Sequence, residues 1–324
     1  MIRRSVFRTA LLLLFALCAG PAAAAESDKV TIAASQTGLL VWIAQESDLF
    51  SKEGLDVEVK PFQSGFASAG AVVSGEADLS TTSESAFVSH SLKHPDLRVL
   101  AVLSTVQTSR LLARGDRGIG QAKDLAGKRI GVTLGSTGEF FLGRYLTING
   151  LSLNSVETVD LKPADIAASL VSGEIDAGLT WEPFVHRAQS ALGDNVLELP
   201  DQEGLFYYFM LVSSADWIHD NLDRAKAIMR ALVRAEQLVI EQDSHVKKLI
   251  RDRFGFDEAY VDHLWPLHNL RVSLPQDLLF LMEEQAEWRI RSGLTDRESV
   301  PNYLDLIDGG PIRATKPSAV GIVQ

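Results

Sequence analysis

Residues 123–146 read KDLAGKRIGVTLGSTGEFFLGRYL, and this stretch decides the fold class. The apolar run RIGVTL at 129–134 has the length of a buried parallel strand. Gly135 breaks it. Ser136 and Thr137 then offer side-chain oxygens for capping, and Glu139 stands three residues after Ser136, the capping-box spacing, ahead of a helix over 140–146. Strand, tight turn and helix form the repeating half of a parallel α/β sheet. The amides of such a first turn, with the positive end of the helix dipole, suit a small anion. An ordinary αβ turn that binds nothing satisfies the same letters.

The same grammar recurs on both sides. A strand at 29–34 runs into the polar turn Ser35-Gln36-Thr37-Gly38, followed by a helix over 39–49 and a strand over 55–59. Residues 65–74 predict a small-residue helix and 97–103 a strand. Beyond the central stretch come a strand at 156–161 and a helix at 164–172. SGEADLSTTSE at 74–84 and SGEIDAGLTWE at 172–182 repeat one device. Each ends a helix with Ser-Gly-Glu, starts a strand at an Asp, and delivers a turn that closes in Glu. The repeat predicts two similar α/β lobes, each with a mostly parallel sheet flanked by helices. After Pro200 a strand at 205–213 carries the chain back, and helices follow at 220–242, 246–254, 258–264 and 277–292. Their apolar stripes predict packing against the first lobe. The tail, 311–324, reads as flexible.

The first 25 residues differ in kind. Arg3, Arg4 and Arg8 precede an apolar run at 10–16, and AGPAAAA ends at Ala25. That order is a cleavable signal peptide, which implies a periplasmic location. Arg3-Arg4 weakly resembles a twin-arginine signal, but the general secretory route is the simpler reading. Leu17 before Cys18 argues against a lipid anchor. Without this leader the chain holds 28 basic and 42 acidic residues, about −14, and no cysteine. The acidic balance argues against nucleic acid and anionic membranes as partners. No Walker loop, Gly-x-Ser-x-Gly elbow, HExxH or paired-cysteine spacing occurs, and the seven histidines are scattered. No metal, cofactor or catalytic residue is expected.

LFSKEGLDVEV at 49–59, SGEADLSTTSESA, DLAGKRIGVTLGSTGE and IDAGLTWEPF, with the opening strand and Ser35-Gln36-Thr37, resemble the periplasmic solute-binding proteins of ABC importers. The nearest branch is the nitrate, sulfonate and taurine group, which includes binders of thiamine pyrimidine precursors. The resemblance implies the two-lobed type II fold with a cleft between lobes. It places the first lobe at 26–106, the second at 107–205 and the return with its C-terminal helices at 206–310, with hinges near 104–112 and 206–211. It also implies a small-molecule ligand, a permease with a cytoplasmic ATPase as partner, and a monomer.

Ligands in open parallel sheets sit off the carboxyl ends of the strands. That criterion selects Ser35, Gln36 and Thr37, then Ser83 and Glu84, then Ser136, Thr137, Gly138 and Glu139, and finally Trp181 and Glu182. Trp42, with Phe66 and Phe184, is a candidate apolar wall. Tyr207 and Tyr208 compete for the cleft because alternation turns only one inward; Tyr208 is the residue selected. Carboxylates at Glu84, Glu139 or Glu182 would repel a bare oxyanion and favour an amine-bearing sulfonate of the taurine type. The alternatives are a thiamine-precursor-like pyrimidine or other heterocycle, an enzyme of the pyrimidine-synthase type, and a sensory binding protein. The missing cysteine counts against the enzyme.

Overall fold

The computed structural model describes residues 29–200, 202 and 205–323, so the expected leader lies outside the described residues. In chain order the strands are β1 (Lys29–Ser35), β2 (Asp56–Phe62), β3 (Leu79–Ser83), β4 (Leu97–Val106), β5 (Ser109–Arg114) and β6 (Arg129–Val132). Then come β7 (Glu157–Asp160), β8 (Ala177–Trp181), β9 (Val196–Glu198), β10 (Tyr207–Ser214) and β11 (His268–Ser273). They form two sheets, β2-β1-β3-β10-β4-β11 and β7-β6-β8-β5-β9. The plan is the same twice: a parallel triplet with its first strand central, then an inserted strand, then the next.

One inserted strand in each sheet runs against its neighbours. Among the strands of the described residues parallel pairing joins β1–β2, β1–β3, β6–β7 and β6–β8, while β10 and β5 run antiparallel to both neighbours. By direction β1–β4 agree in the first sheet and β6–β9 in the second, so each is mostly parallel as expected, with the inserted strand reversed. The cause is connectivity. The parallel strands end at the face shared by the lobes, and a strand arriving from the other lobe starts there and must run the opposite way.

The repeated Asp explains why the two halves fold alike. Asp78 accepts from the Thr31 amide at 2.7 Å through Oδ2, and its own amide donates to the Thr31 carbonyl at 3.0 Å. Asp176 does the same to Arg129, at 2.9 and 2.8 Å. Each Asp thus clamps the start of the central strand of its triplet. The preceding glycines, Gly75 at φ 75° and Gly173 at φ 78°, take the left-handed turn that releases the chain from the helix.

Serine caps set the helix starts. Ser64, Ser83 and Ser136 each accept an amide of the following helix, over Gly65–Val73, Glu84–Ser91 and Thr137–Ile148. The last helix begins a turn earlier than the sequence suggests. One apolar core, including Trp42, Phe87 and Leu100, surrounds the first sheet. A second gathers Phe140, Phe141 and Leu146 with Tyr207 and Phe209 of β10.

Residues 311–323 correct the expectation of a flexible tail, since they are packed. Ile312 and Ile322 are buried, Val320 bridges to Leu274, and Lys316 Nζ reaches both Glu236 oxygens at 2.7 and 2.6 Å. Apolar residues spaced along a Pro- and Gly-rich segment found a groove, which composition alone does not reveal. Among the described residues no helix is long and apolar enough to cross a membrane.

Asp78→Ala and Asp176→Ala should each cost about 1–3 kcal/mol in urea denaturation, because each strands a strand-initiating amide. A loss in one lobe only would show that the repeat is not used equivalently.

Candidate functional site

The carboxyl ends of the parallel strands meet at a cleft with an inner and an outer cavity. The inner one is bounded by Thr37, Gly65, Phe66, Ser83, Ser136, Thr137, Trp181, Tyr207 and Phe209, and measures about 20 Å³. That is room for about one water. Among the described residues no charged side chain lines it. Three helix N-termini contribute to its wall, through Gly65, Ser83, and Ser136 with Thr137. Their dipoles place partial positive charge there without any cation.

The turn after β6 closes this cavity against the other lobe. Gly135 has φ 76°, and a Cβ on it would run into the Phe66 ring, so only glycine fits. Its carbonyl accepts from Ser89 Oγ at 2.7 Å. Ser136 caps as expected, its Oγ accepting from the Gly138 amide at 3.1 Å and donating to the Thr133 carbonyl at 2.6 Å. Glu139 departs from the capping box. Its Oε2 accepts from the Gly135 amide at 3.0 Å and from Arg289 Nη2 at 2.9 Å, an ion pair buried on both sides. Arg289 lies on helix Asp277–Arg291, whose Trp288 stacks edge-on against Phe140 and covers Gly143.

The other two glutamates are also engaged. Glu84 is buried, and its Oε1 accepts from Gln285 Nε2 at 3.1 Å. Burial pushes its carboxyl up to about 8, and the bond from Gln285 with the amides of Glu84 and Tyr208 offsets only part of that. It is therefore mostly protonated at neutral pH. Glu182 accepts from Tyr260 Oη at 3.0 Å and the His186 amide at 3.2 Å, and lies 3.3 Å from His263 Nε2. Tyr260 and His263 sit on helix Glu258–Leu264, beyond the return strand. Two of the three carboxylates are thus engaged within the protein, Glu139 by Arg289 and Glu182 by Tyr260 beside His263, while Glu84 keeps its Oε2 buried without a partner.

Strand phase decides between the tyrosines, against the one selected. Tyr207 lines the inner cavity and its hydroxyl lies 2.8 Å from Thr108 Oγ1, with Thr37 and Ser109 also acting on it. Burial raises its pKa, so it stays a neutral hydroxyl. Tyr208 points into the first core and donates to Asp277 Oδ2 at 2.9 Å. Of the other selected residues, Thr37, Ser83, Ser136, Thr137 and Trp181 line the inner cavity. Gln36 and Trp42 line the outer one instead. Ser35 and Gly138 lie behind the wall, and the Ser35 carbonyl accepts from Trp42 Nε1 at 2.8 Å. Sequence reading missed Arg187, Arg253, Tyr260, His263, Gln285 and Arg289, which belong to no motif. Among the described residues no cluster of three or more His, Cys, Asp or Glu is placed to hold a metal.

Residues 35–245 match the profile of the NMT1/THI5-like family, which is more than half of the chain. The chain belongs to this family. Relatives of this NMT1/THI5-like protein are named as binding proteins. The taurine-binding periplasmic protein of Escherichia coli is 27% identical over 238 residues, 70% of this chain and 73% of that one. A Brucella abortus protein named as a binding protein is 25% identical over 64% of this chain. The match spans only 58% of the Brucella protein's length. The alkanesulfonate-binding protein SsuA of Xanthomonas axonopodis, solved with MOPS, superposes with a TM-score of 0.77 at 20% identity, over 88% of this chain and 99% of that one. The desulfurization enzyme DszB superposes at 0.66 and 17% identity, over 90% and 99%. These superpositions establish the two-lobed binding-protein fold.

Two measurements follow from the buried carboxyls. Arg289→Ala should cost about 3–5 kcal/mol in urea denaturation, because it leaves Glu139 buried and unpaired, and Arg289→Met with Glu139→Gln should recover most of that loss. For Glu84 the folded state keeps a proton that the unfolded chain has released above its ordinary carboxyl range. Stability therefore falls as pH rises from 5 towards 8 and levels off beyond. Relative to Glu84→Gln, the wild type should lose roughly 2–4 kcal/mol across that window; parallel pH curves would refute the assignment.

Proposed function

We propose that this protein is the extracytoplasmic solute-binding component of an ABC importer, capturing a small organic sulfonate between its lobes. The observation that carries the reading is the inner cavity: hydroxyls, an indole and three helix N-termini around a space that no charged side chain of the described residues lines. Such donors favour an oxyanion head without committing a counter-charge, and water exclusion strengthens each bond. A sulfonate needs more than 20 Å³, so entry requires the lobes to part and closure to follow binding. We take 26–106 with 206–310 as one lobe, 107–205 as the other, and 104–112 and 206–211 as the hinges between them. Release to permease subunits driven by a cytoplasmic ATPase, a periplasmic location and a monomeric state complete the reading.

The taurine-binding relative supports a sulfonate head, and Glu84, Glu139 and Glu182 are not among the residues that line the inner cavity. We therefore assign recognition to the sulfonate, with the amine contributing nothing. Binding without turnover is the companion proposal. It is supported by the names of the relatives and by the described residues, which contain no cysteine.

Isothermal titration of the purified protein with ethanesulfonate, taurine and nitrate tests this. Both sulfonates should bind with similar affinity, nitrate at least tenfold more weakly, and Tyr207→Phe should weaken the sulfonates by about 1 kcal/mol. Mass spectrometry of the bound solute should find it unchanged. A folded protein that binds neither sulfonate, or that binds taurine far better than ethanesulfonate, would overturn the assignment.

A further inference from the structure

The outer cavity has a different chemistry from the inner one. It measures about 510 Å³, the size of a pocket for a small organic molecule. Trp42, Phe62, Phe254 and Arg253 come from one side of the cleft, and Phe184 and Arg187 from the other. The Arg253 guanidinium carbon lies 4.5 Å from the centre of the Trp42 ring, and that of Arg187 lies 5.4 Å from the Phe184 ring. A guanidinium stacked in this way has one face occupied and keeps its N–H edge for an anion. Arg253 also meets Glu46 at 3.3 Å, whereas Arg187 has no carboxylate partner among the described residues. In a chain with 42 acidic and 31 basic residues, two stacked arginines at one mouth call for a ligand.

The two cavities adjoin. Gln36 lines the outer and Thr37 the inner; Phe184 lines the outer and Trp181 the inner. A solute held by its head in the inner cavity therefore extends its other end between the two arginines. We infer that this mouth is an outer subsite for a second acidic group carried on a flat body, so that the solute is an aromatic sulfonate with a further carboxylate or sulfonate. Aromatic walls on both sides match a planar ring, and each guanidinium offers paired donors to a carboxylate or sulfonate. Methanesulfonate reaches only the inner donors. The inference rests on the sulfonate reading above and narrows it.

The test is a calorimetric comparison of methanesulfonate, benzenesulfonate and 4-sulfobenzoate at low ionic strength, on the wild type and on Arg187→Gln/Arg253→Gln. Both arginines are exposed, so the double variant should keep its fold, checked by circular dichroism. In the wild type 4-sulfobenzoate should bind about tenfold more tightly than benzenesulfonate, with added salt eroding that gain. In the double variant the advantage should vanish while methanesulfonate binding changes less than about twofold. Equal affinity of 4-sulfobenzoate and benzenesulfonate in the wild type would overturn the outer subsite alone. So would a double variant that weakens all three probes equally. Failure of every sulfonate to bind the folded wild type would instead remove the sulfonate reading, and the subsite with it.

Discussion

Glu139 carries one constraint on which much of the cleft depends. Its carboxylate holds the Gly135 amide on one side and the Arg289 guanidinium on the other, and both charges are buried. The first bond fixes the turn that ends β6. The second ties the helix after that turn to helix Asp277–Arg291, which packs with the first sheet's core. A buried pair of this kind adds little net stability, because desolvation offsets most of the attraction, but breaking it is costly. It therefore acts as a register pin. With it in place, Trp288 covers Gly143, Phe66 rests on Gly135, and Ser89 reaches the Gly135 carbonyl.

Pinning the turn sets the electrostatics of the inner cavity. Three helix N-termini border it, and each nearby carboxyl is neutralised or engaged elsewhere. Glu84 is held protonated by burial, Glu139 is paired, and Glu182 is bonded to Tyr260 beside His263. The outcome is a site biased towards negative charge within a strongly acidic protein. Local donors outweigh distant net charge because the latter is screened beyond about a Debye length of 10 Å. Glu182 adds a link between the end of β8 and helix Glu258–Leu264.

The two lobes solve the same problem with one local device. Asp78 and Asp176 clamp the central strands, Gly75 and Gly173 release the preceding helices, and the following strands deliver Ser83 and Trp181 to the cleft. Function lies in the differences. The first copy ends in Glu84 beside Gln285, the second in Glu182, an acceptor for Tyr260. Beyond Glu182 the second copy continues into Phe184 and Arg187, which face Trp42 and Arg253 across the mouth.

What the sequence determined by itself is local. Strand, glycine turn and serine cap at 129–137 were legible because they depend on φ preference and on hydrogen bonds spanning a few residues. The Ser-Gly-Glu repeat announced two equivalent lobes because an identical device recurs at an identical step in each. Tertiary structure decided the rest. Glu139 looked like a capping residue, and its partner Arg289 lies 150 residues away. Glu84 looked like a charge until burial protonated it. Tyr207 and Tyr208 are indistinguishable until pairing with β4 sets the strand's phase. Arg187 and Arg253 belong to no motif at all and acquire a role only when two lobes set them at one mouth. Desolvation and long-range pairing depend on which surfaces meet, and no spacing along the chain encodes that.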